Sequence, residues 1–296
     1  MAVILLAVPA TDAAAQRGTA ALAYQLTYSQ NYDPSPSPDG RRLVYITLLE
    51  GREQLFTMKV DGSDRRQLTH DDADHEDPAW SPDGKQIAFV YLKDGGEVIS
   101  VMNADGTGEF RRLTPNNVKT IHPEWSPDGM KLVYCTDDDL APPRKNDADV
   151  QVVEVATGKI TTLISGGVNT YPSWSPDGKH LAFRKMVDVI NSEVWVADGD
   201  GKNPHNITNH PAFDGWPAWS PDGSRIAFAS NRNSSYQIFV MKADGSDVRL
   251  VANTEGRATA PKWSRDGSRL FFPVCRNVDF GSVCEIYTAR TEGFVR

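Results

Sequence analysis

Six residues of very different chemistry occupy one equivalent place in this chain. Asp33, Asp77, His122, Tyr171, Trp216 and Ala260 each stand immediately before a Pro that opens a short recurring phrase. Two carboxylates, an imidazole and two large aromatic rings on one rim have the chemistry to hold a cation, a peptide or a sugar. Neighbouring segments add titratable groups and a further aromatic ring. His70, Asp71, Asp72, Asp74, His75 and Glu76 precede Asp77, and His205, His210, Phe213 and Asp214 precede Trp216. The competing reading is a solvated acidic loop surface. No His-Glu-x-x-His spacing accompanies these residues, so spacing alone spells no metal site. A second carboxylate run, Asp137, Asp138, Asp139, Asp147 and Asp149, suits calcium in ligand type. It lacks the Asp-x-Asp-x-Asp-Gly pattern of an EF-hand loop and also reads as a solvated loop. The sequence has no Gly-x-Ser-x-Gly elbow, phosphate loop or dinucleotide fingerprint, which leaves catalysis little support.

The phrase that positions the rim is Pro78-Ala79-Trp80-Ser81-Pro82-Asp83-Gly84. It returns at Pro123–Gly129, Pro172–Gly178 and Pro217–Gly223. Altered copies run over Pro34–Gly40, with Pro36 in place of the Trp, and Pro261–Gly267, with Arg265 in place of the second Pro. The closing glycines are 44, 45, 49, 45 and 44 residues apart. Ser-Pro-Asp-Gly suits a type I turn, in which Pro pre-sets one backbone angle, Asp bonds the local backbone and Gly accepts positive φ. Apolar runs without alternation follow each turn, as at Ile87-Ala88-Phe89-Val90, and call for strands buried on both faces. A third run, such as Gln237-Ile238-Phe239-Val240-Met241, leads to a second Asp-Gly turn and a short polar fourth strand. Four antiparallel strands repeating every 40–45 residues or so make the blade of a β-propeller. The expected fold is all-β, a six-bladed propeller. A Trp in five of the six repeats reads as packing between blades.

The ends are expected to close the ring. The sixth repeat stops at Arg296, with no room for a fourth strand, while Ala23-Tyr24-Gln25-Leu26-Thr27 at the other end resembles the fourth-strand phrase. Leu26 lies 14 residues before Gly40, close to the 15 to 17 seen for the corresponding residues of the other repeats. The N-terminal strand should therefore complete the last blade. Strand alternation then puts both Asp-Gly turn families on one face. The longer, variable loops lie on the other, where function tends to sit.

Net charge is −8 and the isoelectric point about 5.3, with no basic stripe, so nucleic acid is disfavoured as a partner. No apolar run reaches the length of a membrane span. Residues 1–15, with Ala2 to Ala10 apolar and a small-residue stretch at Ala13-Ala14-Ala15, read as the remnant of a secretory signal without its basic opening, and 16–296 as the propeller. Cys275 and Cys284 flank a loop expected over Arg276–Val283, where they either form a cross-strand disulfide in an oxidising compartment or stay free and buried. Cys135 reads as a small core residue.

The repeat Pro-x-Trp-Ser-Pro-Asp-Gly-x-x-Ile-Ala-Phe, followed by Ile-Phe-Val-Met-x-x-Asp-Gly-Ser, resembles that of the TolB-type propeller family. The match is best over Pro78–Phe89 and Ile238–Asp247 and extends over about Ala20–Arg296. The resemblance implies a six-bladed propeller, a periplasmic or secreted location, and a non-catalytic protein-binding role. It also implies a partner such as a Pal-like envelope lipoprotein. The residues ahead of Ala20 do not match the separate α/β domain that precedes the propeller in TolB, so roles resting on that domain are not implied. Related propellers include lyases that hold a divalent metal through histidines. The sequence reading is thus a monomeric exported scaffold that binds a protein or peptide around Asp33, Asp77, His122, Tyr171 and Trp216, with His75 and His210 nearby. No cofactor is required, although calcium or another divalent cation would suit the rim. The alternative is a metal-dependent carbohydrate-active lyase or hydrolase.

Overall fold

The computed structural model describes residues 23–28, 30–137, 147–188, 190–278 and 281–291. The expected signal remnant, Asp138 and Asp139 of the third-repeat carboxylate run, and the last five residues, in which a Glu292-Gly293 turn is expected, lie outside these residues. The described residues form six antiparallel sheets, one per repeat, and the regular elements among them are all strands. The inner strands are Asn31–Pro36, Asp74–Trp80, Lys119–Trp125, Asn169–Trp174, Asp214–Trp219 and, split in two, Arg257–Ala258 with Lys262–Trp263. We number the blades 1 to 6 in that order. Their inner strands touch one another in sequence, and blade 6 touches blade 1, so the ring is closed.

The turn chemistry repeats in all six copies. In each, the Ser hydroxyl donates to the Asp carboxylate two residues on at 2.5–2.7 Å, and the Gly N–H donates to the Ser carbonyl at 2.8–2.9 Å. The Ser Oγ in turn accepts from the N–H five residues on, which starts the second strand. Arg265 replaces Pro in the sixth copy without changing the turn, so Pro is a convenience there and the Ser–Asp–Gly triplet is the requirement. In blades 4 and 5 the second turn docks on the blade before it. At Gly201 and Gly245 the backbone is left-handed, and a Cβ would lie 2.2 and 2.3 Å from the carbonyls of Leu163 and Ile207 in the preceding blade, so only glycine fits.

The second strands carry the core. Leu43–Ile46, Ile87–Val90, Leu132–Cys135 and Ile226–Ala229 are at most 1 % exposed because each is sandwiched between two neighbouring blades. The repeated Trp residues fill the same layers. Trp125 and Trp263 also donate from Nε1 to the carbonyls of Ala79 and Ala218 in the preceding blades, both at 3.0 Å.

The N-terminal strand closes the last blade. Tyr24–Gln25 pairs antiparallel with Gly281–Arg290, and the buried Thr27 hydroxyl donates to Glu285 at 2.6 Å while accepting from the Ile286 N–H at 2.9 Å. Cys275 and Cys284 are directly opposed and disulfide-bonded. They do not flank a loop, as their spacing suggests. Arg269–Val278 and Gly281–Arg290 remain paired out to Val278 and Gly281, so the described residues of the segment read as a loop are strand. Polar residues at Arg276, Asn277 and Ser282 conceal that extension, because a protruding hairpin needs no apolar face.

Candidate functional site at the channel mouth

The six rim residues share an unusual backbone. Asp33, Asp77, His122, Tyr171, Trp216 and Ala260 have φ of 48°, 49°, 56°, 53°, 54° and 43°. Left-handed backbone is disfavoured for side chains of this size, and the following Pro restricts it further. In blades 1 to 5 the pairing of inner and second strand slips at this point, the signature of a β-bulge. A bulge re-aims a side chain. Here it turns one residue per blade toward the axis, and since Ala260 shares the conformation, the repeat imposes it whatever the side chain.

These six residues and the prolines after them line one cavity of about 280 Å³ at the mouth of the central channel, together with Glu124, Arg257, Thr259 and Lys262. Its floor is an ion pair across the ring. Lys262 Nζ of blade 6 lies 3.3 Å from Glu124 Oε2 of the opposite blade 3, and Glu124 Oε1 accepts from the Ser173 hydroxyl and the Trp174 N–H. Below this bar a second cavity of about 250 Å³ opens toward the Ser-Pro-Asp-Gly turns.

The mouth is chemically divided. Blades 3 to 5 supply an aromatic arc, with the rings of His122 and Tyr171 3.7 Å apart and those of Tyr171 and Trp216 5.3 Å apart. Arg184 braces the arc, its guanidinium 4.8, 5.5 and 5.8 Å from the rings of Tyr171, Phe213 and Trp216. His122 is held at three points. Its N–H donates to Asp77 Oδ2 at 3.0 Å, its Nε2 lies 3.8 Å from the same oxygen, and its Nδ1 lies 3.3 Å from Cys135 Sγ. Burial pushes the Tyr171 hydroxyl above its ordinary range, so the phenol stays neutral.

Blades 1 and 2 supply carboxylates. Burial, then repulsion from Asp77 and Glu53, pushes Asp33 up to about 7, against the opposing pull of Lys262. Burial pushes Asp77 up to about 6, while the His122 N–H and Lys262 hold it down. Behind them Glu76 is pushed up to about 10, by burial and then by its hydrogen bond with Glu53. Glu76 is therefore protonated at neutral pH and shares that proton with Glu53, which also accepts from the Tyr32 hydroxyl.

Two residues expected near the mouth lie elsewhere. His75 is fully buried between blades 1 and 2, with its ring 5.5 Å from those of both Phe89 and Tyr91, and burial lowers its pKa. Its Nε2 faces Asp71 Oδ1 at 3.3 Å. His210 stitches its own loop, donating from its N–H to Glu193 and accepting at Nδ1 from the Ala212 N–H. His205, expected beside the rim with the other residues ahead of Trp216, begins the outer strand of blade 4 just after the Asp200-Gly201 turn. Among the described residues no group of three or more His, Cys, Asp or Glu is placed to hold a metal ion. Asp147, from the third-repeat carboxylate run, accepts from the Gly167 N–H at 2.7 Å.

Sequence reasoning passed over Glu124 and Lys262. Both occupy the x of Pro-x-Trp, which is Ser or Ala in the other four copies. A charge pair three repeats apart in a six-membered ring is a readable signal, because those positions face each other across the axis. Arg184 and Arg257 carry no such signal, since they come from strands whose register only the fold reveals.

The family model of the TolB beta propeller domain matches residues 25–142 and 142–289. Among solved structures, the chain is similar to a putative TolB from Agrobacterium tumefaciens at 22 % identity and a TM-score of 0.68, covering 90 % of this chain and 96 % of that one. TolB from Acinetobacter baumannii matches at 21 % identity and a TM-score of 0.67, over 80 % of this chain and 57 % of that one. An oligogalacturonate lyase in complex with manganese matches at 16 % identity and a TM-score of 0.61, over 95 % of this chain and 96 % of that one. At these identities the likenesses speak for the fold alone. No protein of curated function matches. With the repeat, the six closed blades and the family match in agreement, the chain belongs to the TolB β-propeller family.

Proposed function

We propose that this propeller is an exported, non-catalytic binding protein whose channel mouth receives a protein or peptide segment. The observation that carries this is the convergence of six bulged residues on one walled cavity with an aromatic arc and a carboxylate pair. A rigid scaffold that presents dissimilar side chains from equivalent positions is built for recognition. At about 280 Å³ the cavity suits one or two side chains of an inserted segment. Family membership makes an envelope lipoprotein of the Pal kind the first partner to test. The Cys275–Cys284 disulfide and the apolar N-terminus support a location outside the cytoplasm. The carbohydrate-active alternative is the less favoured reading, because among the described residues no group of three or more His, Cys, Asp or Glu is placed to hold a metal ion.

The test is site-specific photo-crosslinking in intact cells, with the photoreactive residue at position 216 on the mouth or at position 128 on the opposite face. A discrete crosslinked protein from 216 and none from 128 is expected. Crosslinks from 128 alone, or a chain retained in the cytoplasm, overturn the proposal.

A further inference from the structure

Asp33 and Asp77 stand side by side on blades 1 and 2, mostly withdrawn from water and repelling one another. Among the described residues no Lys or Arg forms an ion pair with either. Lys262, the cation whose charge reaches both, is engaged with Glu124. Asp77 is 18 % exposed and meets only His122 among ion-pair partners. Partly buried carboxylates with no cation paired to them cost folding free energy. Here they line a cavity open to the variable face, with the His122 and Tyr171 rings as the adjoining wall. The cation already on the aromatic arc, Arg184, lies over Tyr171, Phe213 and Trp216, away from blades 1 and 2. The acidic corner is thus the part of the mouth that asks for a positive group from the ligand.

We propose that the mouth recognises a primary ammonium, seated between Asp33 and Asp77 and flanked by His122 and Tyr171, so that the bound segment is a peptide entering by a lysine side chain or by its amino terminus. This deepens, and rests on, the reading of the mouth as a peptide-binding site. A compact ammonium with three donors can bond both carboxylates at once. Its alkyl stem would lie along the aromatic wall. The other charged and titratable groups facing the pair are Tyr32, Glu53, Glu76, His122, Lys262 and Arg257. Glu76 stays protonated at neutral pH and below. The titrations that matter between pH 8 and 5 are those of Asp33 and Asp77, with any protonation of His122 acting in the same direction, against a cation. Affinity should fall as pH is lowered through about 7 and about 6.

The probe is a set of hexapeptides selected on the whole propeller from a random library and retained only if Trp216→Ala abolishes their binding. The strongest is resynthesised with an acetylated amino terminus and, separately, with each lysine replaced by norleucine. We expect one of these changes to weaken binding by about tenfold or more, the scale of a lost charge-assisted pair. Acetylation identifies the terminus and norleucine the side chain. Asp33→Asn and Asp77→Asn should each weaken the parent peptide and leave the neutralised one unaffected. If neither modification alters affinity, the ammonium proposal falls while peptide binding stands. If calcium binds at the mouth, is lost in Asp33→Asn, and the peptides are indifferent to both modifications, the pair serves a metal and the proposal is overturned. If no peptide is sensitive to Trp216→Ala, both readings fail.

Discussion

Replacing Asp33 by Asn should stabilise this protein at alkaline pH and do almost nothing at acid pH. Asp33 is raised from an ordinary 3.8 to about 7, first by burial and then by repulsion from Asp77 and Glu53. Below pH 3.8 the folded and unfolded chains both hold the proton, and the residue contributes no difference. Between 3.8 and about 7 the unfolded chain has released its proton while the folded chain keeps it. Each rise of one pH unit then removes about 1.4 kcal/mol of stability. Above about 7 both states are ionised and the loss is complete, at about 4 kcal/mol for the full displacement. Asn keeps the shape without the charge, so we expect about 2–4 kcal/mol of added stability at pH 8, or about 3–6 °C in Tm for a chain of this length. The assay is urea unfolding followed by tryptophan fluorescence for both proteins across pH 4 to 8.5. The difference between variant and parent should start near zero and rise to a plateau above about pH 7. A flat difference, or a variant less stable at pH 8, would refute the placement of Asp33 in a desolvated acidic corner. The same variant should bind its ligand less well. A residue that lowers stability while serving a site is the expected trade-off between stability and function.

Other consequences follow from single contacts. Thr27→Val removes the hydroxyl that serves Glu285 and Ile286 at the ring closure, and should cost about 2–4 kcal/mol in urea unfolding, with Thr27→Ser much milder. Equal stability of Val and parent would mean that the closure does not depend on that hydroxyl. Lys262→Met removes a charge that holds down both Asp33 and Asp77, so carboxyl NMR titrations should show both moving further up. Unchanged titrations would place Lys262 too far away to matter. Thiol counting on unreduced protein should find none reactive in the native state, one after unfolding (Cys135) and three after reduction as well. A native protein that reacts at Cys275 or Cys284 contradicts the disulfide.

Most of the architecture was legible because the chain states it six times. The Ser–Asp–Gly turn is local chemistry, and its hydrogen bonds recur even where Arg265 breaks the phrase. The ring closure was legible because the orphan strand at Tyr24–Gln25 matched the fourth-strand phrase absent from the last repeat. The rim was legible in part. That one residue per blade would face the mouth came from counting, and the structure gathers all six around one cavity. His75 shows where counting stops. It lies two residues before Asp77, which in a regular strand would put both side chains on one face. The bulge at Asp77 breaks that alternation, so Asp77 turns to the channel while His75 packs between Phe89 and Tyr91. No residue type announces such a bulge, because Asp, His, Tyr, Trp and Ala all occupy it.

The sequence by itself determined the repeat, the turns, the blade count and the positions that meet at the mouth, because each depends on local backbone preferences and on a period that counting reveals. Tertiary structure alone decided how those positions interact. Glu124 and Lys262 are 138 residues apart and meet only because a sixfold ring sets blade 3 opposite blade 6. Asp33 and Asp77 are ordinary acids in the chain and become reluctant ones once the ring withdraws them from water while Lys262, the cation within reach of both, is paired with Glu124. Charge is a property of the residue, but the free energy of holding it belongs to the surroundings, and those exist only when the ring is closed.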